Sequence, residues 1–174
     1  MQQFLLKHTF NALSPISIYN DEGILCYKFN YIQRIEKKIF PLGDLELIDS
    51  NGNKILTLKQ EKILGYPFNY IIEKNNENVG KVYSIKSSRL NPEFILLFNG
   101  EEYKLKVRRK AIFSLPKKFN VIKGNYAISD IYRLTLSFRF KIDVKAEDEL
   151  MPIFLLAALL YFYCHMGTGL MGSG

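Results

Sequence analysis

The stretch that decides the fold is LMPIFLLAALLYFYC, which runs from Leu150 to Cys164 near the end of the chain. It has no charged residue, and a helix that is apolar on every side must be buried in protein or in lipid. The run has 15 residues, whereas a span of the bilayer core needs about 20. Its length and Pro152 favour burial inside the protein. The alternative is that the helix spans a bilayer and residues 1–145 form a cytoplasmic head.

We predict a central helix over about 147–166. Glu147, Asp148 and Glu149 complement the positive end of the helix dipole. Gly167 is expected to end the helix, and 167–174 to form a flexible tail.

The residues before the helix have the pattern of antiparallel β-strands. Apolar and polar residues alternate over 103–108 and 134–144, which predicts two strands with Leu136, Phe138 and Phe140 facing inward. Asparagine-rich and glycine-containing turn clusters separate the other apolar runs, as in a meander of hairpins. A chain of 174 residues without an internal linker is expected to form one domain, over 1–166.

The two cysteines, Cys26 and Cys164, are predicted to be buried thiols in a reducing cytoplasm. The N-terminal residues lack the apolar core and cleavage site of a signal peptide. We therefore expect a cytoplasmic protein, with peripheral attachment to the membrane as a further hypothesis.

Charge is distributed unevenly along the chain. Residues 1–80 carry nine basic and nine acidic residues, whereas residues 81–145 carry fifteen basic and five acidic ones. This asymmetry indicates an anionic partner, either a phospholipid surface or nucleic acid, although a solvated face without a partner accounts for it equally well. Nucleic acid is less favoured, because aromatic residues do not alternate with the basic ones in the manner of a stacking surface. The candidate lipid-binding residues are Lys104, Lys106, Arg108, Arg109, Lys110, Lys117 and Lys118.

Residues that could carry catalysis or hold a metal are few. Cys164 and His165 are adjacent on the helix and point about 100° apart, which favours a buried thiol and a helix-end histidine over a catalytic pair. The Asp49-x-Asn51-x-Asn53 pattern lacks the later positions of a calcium loop and favours a hairpin turn. We expect a protein that is not an enzyme and has no cofactor and no metal.

The order of these features resembles the tubby C-terminal-like superfamily, closest to bacterial relatives of the plant LURP-one proteins. The resemblance covers residues 4–164. It depends on an opening strand at Leu6-Lys7-His8 with Phe10, and on closing residues Ile142-Asp143-Val144 before the helix. Between them lie three matching steps: Ile18-Tyr19-Asn20-Asp21-Glu22-Gly23, Phe40-Pro41-Leu42-Gly43-Asp44 with Leu47, and Asp49-Ser50-Asn51-Gly52.

The resemblance implies a mainly β fold, a closed antiparallel barrel of about twelve strands that encloses one hydrophobic C-terminal helix. Phospholipid scramblases share this fold. It also implies a non-enzymatic binding or scaffolding module, because tubby domains bind phosphoinositide headgroups through basic side chains. The partner would be anionic phospholipid at the cytoplasmic membrane face, or a protein. The alternative is a membrane-anchored, scramblase-like protein whose C-terminal helix spans the bilayer. The oligomeric state is left open.

Overall fold

The structure of the chain is a computed structural model. It describes the backbone of residues 2–7, 15–32, 44–61, 69–86, 93–108, 118–133, 139–144 and 151–170. Side chains are described for most of these residues, including 151–160 of the C-terminal helix.

Twelve strands and one helix lie in the described residues. The strands are β1 (Gln2–Lys7), β2 (Ile16–Asn20), β3 (Leu25–Ile32), β4 (Asp44–Asp49), β5 (Lys54–Gln60), β6 (Tyr70–Lys74), β7 (Glu77–Lys86), β8 (Glu93–Phe98), β9 (Glu101–Arg108), β10 (Lys118–Lys123), β11 (Tyr126–Arg133) and β12 (Arg139–Val144). The helix is α1 (Met151–Leu170).

Each strand pairs antiparallel with the next along the chain, and β1 pairs with both β2 and β12. Leu6 shows how the register aligns the apolar residues, since it lies opposite Ile18 on one side and opposite Phe140 on the other. A strand shifted by one residue would turn its whole apolar set away from the core. The prediction of a mainly β protein with antiparallel strands and one apolar helix is confirmed.

Antiparallel pairing gives the sheet two different ends. At one, here called the turn end, short hairpin turns join the strands at 21–24, 50–53, 75–76, 99–100 and 124–125. Gly52 and Gly100 have φ of 85° and 80° there, a left-handed conformation that glycine adopts without strain. The opposite end, here called the open end, holds the other terminus of every strand, from Lys7 of β1 to Arg139 of β12.

The first half of α1 lies in the core. Met151 and residues 153–160 are at most 4% exposed, and Pro152 is partly buried. These side chains form one cluster with inward residues of β1 to β10, among them Phe29, Phe94 and Tyr103. The predicted burial of 150–162 is therefore confirmed for Met151 and 153–160, whereas Leu150 and the side chains of 161 and 162 lie outside the described residues.

Among the described residues, no helix has both the length and the apolarity that a membrane-spanning helix requires. Over residues 153–160, the surface that would have to face lipid is covered by the chain's own strands.

Three predicted details need correction or restriction. The helix ends at Leu170 rather than before Gly167, because a glycine in a helix costs only about 1 kcal/mol and does not stop its propagation. Residues 167–170 of the expected tail are therefore helical, whereas 147–150 and 171–174 lie outside the described residues. The strand predicted over 134–144 is described over 139–144 only. Cys26 is partly buried rather than buried, since it lies at the edge of the turn end.

Candidate anion-binding surface

The hairpin formed by β9 and β10 carries the first of the predicted lipid-binding residues. Tyr103 and Leu105 are buried in the core, and the alternation of the strand directs Lys104 and Lys106 to the outer face. Both lysines are exposed, with side-chain exposures of 49% and 45%. The predicted strand over 103–108 is confirmed as part of β9.

Each of these two lysines has a carboxylate neighbour. Lys106 Nζ lies 2.7 Å from Glu93 Oε1, across the pairing of β9 with β8. Lys104 Nζ lies 3.7 Å from Glu102 Oε1 on the same strand. Exposed pairs of this kind add little to stability, but they compensate the positive charge locally. The outer face of β9 is therefore less cationic than its sequence indicates.

Of the remaining predicted residues, the structure brings two together. Arg108 at the end of β9 lies directly opposite Lys118 at the start of β10, and both are at the open end. Arg109, Lys110 and Lys117 lie outside the described residues. They belong to the connection that joins these two strand ends.

The turn end of the same hairpin is held by a small ionic network around Glu101. Lys123 Nζ lies 2.7 Å from Glu101 Oε2, and the Tyr103 hydroxyl donates a hydrogen bond to the same carboxylate. The hydrogen bonds from Lys123 and then from Tyr103 lower the pKa of Glu101. Burial, together with the hydrogen bond to Glu101, raises the pKa of Tyr103 to about 12. Lys123 is thus compensated, like Lys104 and Lys106.

A buried polar group lies at the open end of β4 to β6. Asp44 is 3% exposed, and its Oδ1 accepts a hydrogen bond of 2.9 Å from the backbone N–H of Gln60. The Tyr70 hydroxyl is buried without a hydrogen-bond partner in the described part of the chain. Burial, followed by the proximity of Tyr31 and Asp44, raises its pKa. A tyrosine held neutral in this way adds no charge to the open end.

The Asp49 pattern forms a hairpin turn. Asp49 Oδ1 accepts hydrogen bonds from the backbone N–H groups of Asn51 and Asn53, at 2.9 and 2.8 Å. A side-chain hydrogen bond from Asn53, followed by these backbone hydrogen bonds, lowers the pKa of Asp49. The described residues contain no group of three or more histidine, cysteine or acidic side chains that could hold a metal ion.

Sequence reasoning missed a set of basic residues at strand termini of the open end. Because they are far apart in the chain, only the strand order brings them to one side of the molecule. Together with Arg108 and Lys118, they are here called the basic arc; the additional members are Lys7 of β1, Lys86 of β7, Arg133 of β11 and Arg139 of β12.

Comparison with known proteins identifies no relative: the chain matches no family model, no curated protein and no solved structure at a significant level.

Proposed function

We propose that this chain is a non-enzymatic, tubby-like binding module that attaches to anionic phospholipid at the cytoplasmic face of a membrane. The observation that carries the proposal is the cationic open end of β9 and β10. Arg108 and Lys118 lie opposite each other there, and the connection between them contains Arg109, Lys110 and Lys117. Residues 107–119 contain five basic residues and no acidic one, so positive charge is concentrated in this part of the sequence.

The fold component of the proposal is a closed barrel of the superfamily type, with the apolar helix as its core. Pairing of β1 with both β2 and β12 supports closure, because it leaves neither chain-terminal strand with a free edge. Burial of Met151 and residues 153–160 among the strands supports the enclosed helix. The resemblance of the turn motifs supports the choice of family.

Membrane attachment through these residues would be electrostatic. Each lysine or arginine near an anionic bilayer contributes about 1 kcal/mol. Five such residues would give a useful but reversible affinity, and salt would weaken it because the Debye length is about 8 Å at physiological ionic strength.

The experiment is co-sedimentation with vesicles of phosphatidylserine and phosphatidylcholine, compared with phosphatidylcholine alone, at rising salt. We expect binding to the acidic vesicles at low salt, and release as salt rises. Reversal of Arg108, Arg109 and Lys118 to glutamate should abolish binding without lowering the midpoint of thermal unfolding. Equal binding to neutral vesicles, or no binding to either, would refute the proposed function.

A further inference from the structure

We propose that the protein, if it binds anionic lipid as proposed above, meets the bilayer end-on through the basic arc at its open end. The lipid-contacting surface is then not the outer face of β9 but the rim formed by β7 to β12 and β1. The inference depends on the proposed function and specifies which residues perform it.

The strand termini at the open end separate sharply by charge. Seven neighbouring strands, β7 to β12 and β1, end there in six basic residues and one acidic residue, Glu93. The other five strands, β2 to β6, end there in Ile16, Ile32, Asp44, Gln60 and Tyr70. Among these described strand termini, the basic residues therefore lie on one continuous arc of the rim, and a tilt toward that arc would bring them to an anionic surface.

The register places like charges opposite each other within the arc. Lys7 pairs with Arg139, and Arg108 pairs with Lys118. Residues directly opposite in an antiparallel pair have Cβ atoms about 5 Å apart, and like charges there are destabilising. Asp130 pairs with Asp143 farther from the open end, so the basic pairs are the ones at the rim. The register thus brings two pairs of basic residues to the rim, where an anionic surface is the complementary partner.

The dimensions of the arc favour a surface over a single small anion. Seven strands at about 4.8 Å spacing cover roughly 29 Å of rim. This distance is several times the Debye length of about 8 Å. The two ends of the arc therefore act on separate anions, as the headgroups of a bilayer would provide.

The opposite end of the molecule has the opposite balance. The hairpin turns and the strand termini beside them carry five acidic residues and three basic ones. The acidic residues are Asp21, Glu22, Asp49, Glu77 and Glu101, and the basic residues are Lys54, Lys74 and Lys123. Lys123 is bound to Glu101. An anionic bilayer would attract the open end and repel the turn end, which fixes the orientation.

The test uses residues outside the sequence-predicted cluster. The double variant Lys7→Gln, Arg139→Gln removes two charges from the arc, and the matched control Lys54→Gln, Lys74→Gln removes two exposed charges from the turn end. Partition into phosphatidylserine-containing vesicles is measured at low salt. At about 1 kcal/mol per residue, we expect the arc variant to bind about 30-fold more weakly and the control to change less than twofold.

Two further variants distinguish failure of the end-on orientation from failure of the proposed lipid binding. Lys7 Nζ lies 4.4 Å from the centre of the Tyr19 ring, so Lys7→Arg, Arg139→Lys, which keeps both charges, should retain binding if charge rather than packing is responsible. Normal binding by the arc variant, with a loss in Lys104→Gln, Lys106→Gln, would overturn the end-on orientation and leave the proposed function standing. Failure of the unaltered protein to prefer acidic vesicles, or its preference for polyuridylate RNA over them, would overturn both.

Discussion

Truncation of Leu156 tests whether the C-terminal helix is the core of the molecule. Leu156 is 1% exposed and belongs to the cluster that the helix forms with the strands. Replacement by alanine removes three carbon groups at about 0.8 kcal/mol each, and the cavity left behind adds to that loss. We expect the free energy of unfolding to fall by about 3–4 kcal/mol, against a total of about 5–15 kcal/mol for a typical domain.

The assay is equilibrium unfolding in urea, followed by far-ultraviolet circular dichroism, since the chain has no tryptophan. The midpoint should move to lower urea with an unchanged slope, and the thermal midpoint should fall by about 6–16 °C. The matched control is Ile24→Ala, because Ile24 is 57% exposed and should cost less than about 1 kcal/mol. Equal effects of the two substitutions would refute the enclosed helix.

Two further predictions follow from close contacts in the sheet. A Cβ on Gly80 would lie 2.1 Å from the backbone oxygen of Leu97, so Gly80→Ala should lower the free energy of unfolding in urea by about 1–3 kcal/mol. The control Gly52→Asn, where the added side chain enters open space, should lower it by less than about 1 kcal/mol. An equal loss in the two variants would contradict the close packing at Gly80. Tyr103 has a folded pKa of about 12 against an ordinary 10.0, so the stability it contributes is complete below pH 10 and is lost as pH rises to 12. Absorbance titration should show one late-ionising tyrosine fewer in Tyr103→Phe than in the unaltered protein, while Tyr70, whose pKa burial also raises, still ionises late; an unchanged number of late-ionising groups would contradict the assignment.

Patterns within a short stretch of sequence predicted most of the secondary structure. Alternation with a period of two in 103–108 predicts one strand with one buried face. Apolar residues on all sides in 150–164 predict a helix that must be enclosed. The predicted end of the helix at Gly167 was wrong, because this glycine lowers helix propensity but does not prevent the helix from continuing to Leu170. Local patterns predict the type of a secondary-structure element more reliably than the residues at which it begins and ends.

The candidate surface was less accessible to sequence reasoning, because it depends on strand order. Lys106 reads as a free cation in the sequence, and only the register of β8 with β9 shows that Glu93 lies beside it. Lys7 reads as part of a neutral half, and only its pairing with β12 places it opposite Arg139. Contacts between residues far apart in the chain cannot be predicted from the residue spacing within either segment.

The most direct test of the account is hydrogen–deuterium exchange of the unmodified protein, with and without phosphatidylserine-containing vesicles at low salt. End-on attachment predicts slower exchange in peptides that cover the open-end termini of β7 to β12 and β1 and the chain between them. End-on attachment leaves exchange unchanged in the turns at 21–24, 50–53 and 75–76. Slower exchange at those turns, or no vesicle-dependent change near Lys7, Arg108 and Arg139, would contradict it.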